Sequence, residues 1–359
     1  MRKASIQLQF AWIFIIIVGA MILMFFVAVV QKQKVIAEQE RLYDISTKLK
    51  SILNNAKQST GTLFKVTLPR EELRYDCNGV SIGEYQVMDM GEVFAPDIIR
   101  STTGETLLWV QDWSIPFKAE NFLYFTTPDV RYIILQTDDT NNAVQLYHML
   151  PQNISKQYIR MDGTPFVWAD TVNLFTDYNH YKVRLITVDY ALTTSEVPSD
   201  ILTPGDYDMT WVNIQTEEPP SQAPFNSYGT VTFYRKDSGI FITEGQHPYL
   251  GEASVLGAIF ADRPENYACT MERAFERMKQ VSGTLLTKSD ELYTYYTAET
   301  NPACDDLSPY VTSANGLESI HDNAVFDSTN NRMRDLYNNG KRLKAENRAL
   351  QIKSCPLLY

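Results

Sequence analysis

Residues Phe10 to Val30, FAWIFIIIVGAMILMFFVAVV, contain no charged and no strongly polar side chain. As a helix rising 1.5 Å per residue, this run spans roughly 30 Å, the thickness of a bilayer's hydrocarbon core. The rest of the chain is therefore read as tethered to a membrane. Arg2 and Lys3 precede the run, and Lys32, Lys34 and Arg41 follow it, so flanking charge does not select a direction. The run exceeds the apolar stretch of a cleaved signal peptide, and no A-x-A site follows it. The expectation is an uncleaved signal-anchor, with residues 1–9 as a short cytoplasmic tail, 10–30 spanning the lipid bilayer, and the remainder outside. An even number of cysteines and the sequon Asn153-Ile154-Ser155, which makes Asn153 a candidate glycosylation site, both fit an outside domain.

Arg2-Lys3-Ala4-Ser5 followed by a long apolar helix resembles the start of archaeal type IV pilin-like proteins and of signal-anchored archaeal surface proteins. That resemblance implies cleavage after Ala4 and packing of the N-terminal helix into a filament core. Many such proteins carry Glu at the fifth mature position; counted from Ser5, that position here is Gln9.

Beyond the anchor, residues 31–60 read as a helical stalk. Gln31 to Ser59 lacks Pro and Gly, and Val35, Leu42, Ile45, Leu49 and Ile52 form a heptad-like seam, with Gly61 as the stop. The seam serves either self-association as a coiled coil or packing on the chain's own C-terminal helix. The second is preferred, because only about two and a half heptads are present. Residues 61–262 read as a β-rich mixed region, with strands at 63–68, 107–110, 122–126, 132–136, 183–188, 210–214, 230–234 and 240–242, and a helix at Asn142–Leu150. The continuous apolar run Tyr132–Leu135 suits a central strand covered on both faces. Residues 263–359 read as helical. Asp262-Arg263-Pro264 starts one helix that ends near Gly283, Lys288–Ala298 forms a short one, and Asn330–Lys353 carries a second seam through Met333, Leu336, Gly340, Leu343, Asn347 and Leu350. The fold class expected is α+β, with α/β as the alternative, and the C-terminal helices packing back on the stalk.

Composition narrows function by exclusion. A formal charge of −11 opposes nucleic-acid binding, which needs a basic face. With 44% hydrophobic residues the chain is not mainly disordered. Cys77, Cys269, Cys304 and Cys355 are too far apart for a CxxC unit. Four cysteines allow three connectivities; the pairing expected is Cys269 with Cys304 and Cys77 with Cys355. His148, His180, His247 and His321 form no HExxH or HxH motif, and no GxSxG, Walker A or GxGxxG sequence occurs. No metal or cofactor is therefore expected, and no catalytic residue is assigned. Asp138-Asp139, just beyond the strand 132–136, are the ligand candidates, because strand ends of open sheets favour ligands; a solvated acidic turn is the plainer account. Asp305-Asp306 reads the same way. Trp109, Trp113, Trp168 and Trp211 suggest either a surface aromatic platform or ordinary core packing. The function expected is a membrane-anchored extracytoplasmic protein with a binding or structural role in the cell envelope. The alternatives are a pilin-like filament subunit and a carboxylate-dependent envelope enzyme.

Overall fold

The computed structural model describes residues 3–68, 72–83, 85–87, 91–136, 142–162, 167–168, 182–192, 208–217, 223–237, 240–298, 304, 316–327 and 330–359. The architecture is mixed α+β: a long N-terminal helix, β-rich sheets and C-terminal helices.

Helix α1 runs unbroken from Lys3 to Ala56, 54 residues or roughly 80 Å. From Trp12 to Val30 its apolar side chains stand almost wholly exposed around the full circumference. A helix apolar on every side needs an apolar surround, and this one is long and apolar enough to cross a membrane. Residues 31–41 are also exposed but polar in character. Packing begins at Leu42 and continues through the buried Ile45, Leu49, Leu53 and Ala56, spaced by three or four so that they share one face.

That face does not meet the C-terminal helix, which corrects the expected pairing. It enters a small core with Leu73, Tyr75, Val80 and Ile82 of one sheet and Leu108, Val110, Leu123 and Phe125 of another. The first sheet has the order β4-β3-β2-β6, from β2 (Leu73–Asp76), β3 (Gly79–Ile82), β4 (Tyr85–Val87) and β6 (Ile98–Ile99). The second has the order β1-β7-β8-β5, from β1 (Leu63–Thr67), β5 (Val93–Phe94), β7 (Glu105–Ser114) and β8 (Lys118–Thr126). The physical reason is that a periodic apolar stripe specifies a buried face but not its partner, and two nearby sheets supply the area first. The lower seam is consumed internally in this way, which leaves Val35 as its exposed member and removes most of the surface proposed for a coiled coil.

The largest sheet has seven strands in the order β11-β10-β9-β12-β13-β14-β15. They are β9 (Val130–Gln136), β10 (Ser155–Asp162), β11 (Val167–Trp168), β12 (Lys182–Val188), β13 (Asp208–Glu217), β14 (Tyr228–Asp237) and β15 (Ile240–Leu250). β10, β9, β12 and β13 run parallel, β11 pairs antiparallel with β10 at one edge, and β14 and β15 are antiparallel at the other. Helix α2 (Asn142–Met149) supplies the crossover from β9 to β10 that parallel pairing requires. In β9, Ile133, Ile134 and Leu135 are all fully buried, as expected for a strand covered on both faces.

Against one face of this sheet lie helices α3 (Glu252–Phe260) and α4 (Pro264–Ala298), which share the principal core with Tyr132, Ile186, Val212 and Phe233. α4 passes through Gly283 without stopping and includes the segment expected as a separate short helix. Helix α5 (Leu317–Asn323) packs there, and His321 Nδ1 lies 3.0 Å from the Lys279 carbonyl oxygen, so tertiary contact overrides the roughly 1 kcal/mol cost of a mid-helix glycine. Helix α6 (Asn330–Ile352) buries Met333, Leu336, Leu343 and Leu350 in the same core, away from α1. Its Asn347 clamps the following tail, donating to the Tyr359 carbonyl at 3.0 Å and accepting from the Leu358 N–H at 3.0 Å.

The disulfides are Cys77–Cys269 and Cys304–Cys355, which corrects the expected connectivity. Cys77 sits in the β2–β3 turn against α4, where Arg273 donates to the Cys77 carbonyl at 2.7 Å. Cys304 is buried beside the end of α6 instead of beside α4's cysteine.

Candidate functional site

Two constructions in the molecule concentrate charge and position the rest. The first seats the end of α1 in the domain. Lys57, directly after α1, reaches Glu92 at 2.6 Å and Glu120 at 3.3 Å, and Asn121 Nδ2 donates to the Lys57 carbonyl at 2.8 Å. The final carbonyls of a helix lack intrahelical partners, so this amide caps the end of the strut as it enters the domain. All three charged side chains are largely shielded from solvent, which makes the latch more than a surface ion pair.

The second is a buried charge centre where β12 meets the α3–α4 junction. β12 reads KVRLITV, and strand alternation sends Lys182 and Arg184 to the same face as Ile186. Lys182 is 1% exposed. Its ammonium contacts Asp262, Asp97 at 2.6 Å and Asp208 at 3.1 Å. Arg263 Nε pairs with the other oxygen of Asp97 at 3.0 Å. Arg184 is fully buried and donates through Nη2 to the carbonyls of Ala258 and Ala261, at the C-terminal end of α3, where cations are favoured.

Burial opposes the charge on Lys182, but Asp262, Asp208 and Asp97 together hold its pKa above the ordinary value. Burial also pushes Asp97 upward, and the charge of Lys182 with bonds from Lys182 and Arg263 outweighs it, holding the carboxyl well below the usual range. At Asp262 burial wins over the pull of Lys182, and the carboxyl is pushed up to about 6 from 3.8. Folding therefore takes up a proton at Asp262 between about pH 4 and about pH 6, and its contribution to stability declines as pH rises through that window. Asp97 runs the other way: its contribution is present above about pH 4 and lost as pH falls further. Asp262→Asn removes the first dependence and keeps the second. Urea unfolding should show wild-type stability, relative to D262N, falling between about pH 4 and about pH 6 and level above that. A difference that stays constant over the whole range would contradict the assignment.

Asp208 leaves this centre half open to solvent, and Arg184 Nε and Nη1 are buried without a hydrogen-bond partner. Asp97 and Asp262 are engaged by cations and backbone N–H groups, and among the described residues no three His, Cys, Asp or Glu side chains gather as a metal-binding group. Asp138 and Asp139 lie outside the described residues, as do His180 and Asp305-Asp306. The strand before the first pair, β9, does occupy the place where strand order reverses. Its carboxyl end lies beside that of β12, with Leu135 opposite Thr187, and such switch points favour ligands. Asn153 is exposed in the turn before β10, open to modification. His148 is exposed at the end of α2, and His247 packs against Phe326 and Tyr267. Burial lowers the His247 pKa. Trp113 and Trp211 are buried and Trp109 is half-buried on the core, so these three form no surface aromatic platform. The charge centre itself left one trace in the sequence, two cations alternating along an otherwise apolar strand.

The chain matches no protein-family model, no curated protein and no solved structure.

Proposed function

We propose that this chain is a membrane-tethered ectodomain with a binding or structural role in the cell envelope, its N-terminus inside and its sheets and C-terminal helices outside. The observation that carries the reading is α1. One continuous helix is apolar and exposed from Trp12 to Val30 and seated in the domain core from Leu42 to Ala56. Two disulfides add support, since such bridges persist in oxidising compartments. The test is protease accessibility on intact cells carrying an N-terminal epitope tag. The ectodomain should be digested from outside, leaving a short tagged fragment protected by the membrane. An ectodomain protected in intact cells and digested only after lysis overturns the orientation.

The same division of α1 favours a second reading. An exposed apolar half-helix attached to a β-rich head is the form a pilin-like subunit needs to pack into a filament core. That reading requires a mature chain beginning at Ser5. Mass spectrometry of the purified membrane form that finds Met1 or Arg2 at its start removes it.

A further inference from the structure

We propose that a cleft between the β7–β8 corner and α6 binds a phosphate ester, with Lys341 and Lys344 gripping the phosphoryl oxygens. The cleft is about 310 Å³, within the lower range of small-molecule sites. At its floor α6 comes very close to the Ile115–Pro116 corner. A Cβ at Gly340 would lie 3.2 Å from Ile115 Cγ2 and 3.5 Å from Pro116 Cδ, so the helix makes this approach with a bare backbone. Tyr337 lies one turn earlier on α6, buried against Tyr228, and lines the cleft.

The two lysines are three residues apart and so share a face of α6. Neither has a carboxylate within 4.0 Å among the described residues, whereas Arg342 and Arg334 on the same helix are paired with Glu346 and Asp335. Both cations are thus left without acids at the mouth of this cleft, in a chain of net charge −11. The Lys341 ammonium stands 4.9 Å from the Tyr337 ring centroid, which steadies it at the wall without neutralising it. Asn226 and Ser114 supply neutral polar groups; the Ser114 hydroxyl donates to Asp112 at 3.0 Å and keeps its lone pairs for a ligand hydroxyl. Asp112 also places a negative charge behind that wall, which favours a ligand whose charge sits at the lysine end only. Lysines act as compact point charges and suit a tetrahedral oxyanion approached from two sides, whereas planar carboxylates favour arginine forks. A phosphorylated polyol or sugar, or a phospholipid headgroup, carries this chemistry. The inference is independent of which side of the membrane the domain occupies.

The test is calorimetric titration of the full chain, in phosphatidylcholine nanodiscs, with glycerol phosphate. Saturable binding is expected, weakened at least tenfold in K341Q/K344Q. Both lysines are exposed, so the variant leaves the core intact. K50Q/K65Q removes the same charge elsewhere and should bind as wild type does. Absence of saturable binding at about 10 mM ligand, a free energy weaker than about −3 kcal/mol, overturns the proposal, as does equal binding by K341Q/K344Q. Competition then separates the sources, both consistent with the site: displacement by phosphatidylglycerol vesicles identifies a lipid headgroup, and lack of displacement a soluble ester.

Discussion

Replacing Cys77 and Cys269 together with serine should lower the stability of the full chain by about 5 kcal/mol, the largest effect expected of any pairwise change here. The bridge closes a loop of sequence separation 192, against 51 for Cys304–Cys355. In the chain-entropy account, the constraint on the unfolded state grows with the logarithm of loop length, giving about 4 kcal/mol for the shorter loop. Position adds to length. Cys77 belongs to the small sheet that holds α1, and Cys269 belongs to α4 in the principal core. Removing the bridge therefore loosens the seat of α1 from the bulk of the domain. Urea unfolding in detergent micelles, followed by the fluorescence of buried Trp113 and Trp211, measures the effect. C304S/C355S should be the milder variant; the reverse order, or unfolding midpoints unmoved by reductant, would refute this account.

Lys182→Met should cost about 3–5 kcal/mol, the usual penalty for removing one partner of a buried ion pair. The methionine fills similar space, so the loss is electrostatic. It leaves Asp262, 4% exposed, and Asp97 facing each other without the ammonium between them. K182M/D262N should recover much of the loss, because the remaining carboxylate keeps Arg263 as its partner. A double-mutant cycle on urea unfolding isolates the coupling between 182 and 262. Additive losses at the two positions would mean that the centre is not coupled as its geometry implies.

These effects sit where the sequence was least informative. All eight strands expected from β-branched and aromatic runs form, and Tyr132–Leu135 is central and doubly covered. The short strands β2 to β6 left no signal, being two to four residues long and set among charged residues and turns. α3 was missed for the opposite reason. Its segment EASVLGAIF is buried almost all round, so no polar face exists to create a helical period. The charge centre joins residues 80 and 85 positions apart, and Asp262 gave only the local signal of a helix start before Pro264. Periodicity revealed which faces of α1 and α6 are buried; the partners emerged only from the packing of distant sheets. The cysteines likewise declared two bridges but not their connectivity, since the β2–β3 turn against α4 is a tertiary juxtaposition.

The exposed stretch of α1 between Val30 and Leu42 is about 18 Å of uninterrupted helix, clamped at its far end by Lys57, Glu92 and Glu120. Such a connection fixes phase as well as height. Each residue inserted there would lift the head by about 1.5 Å and also turn it by about 100° around the helix axis. Whichever face of the head meets its counterpart is thus set by the number of residues in the strut. A torque applied to the head would reach the apolar stretch of α1 as rotation about the helix axis, with residues 31–41 helical throughout.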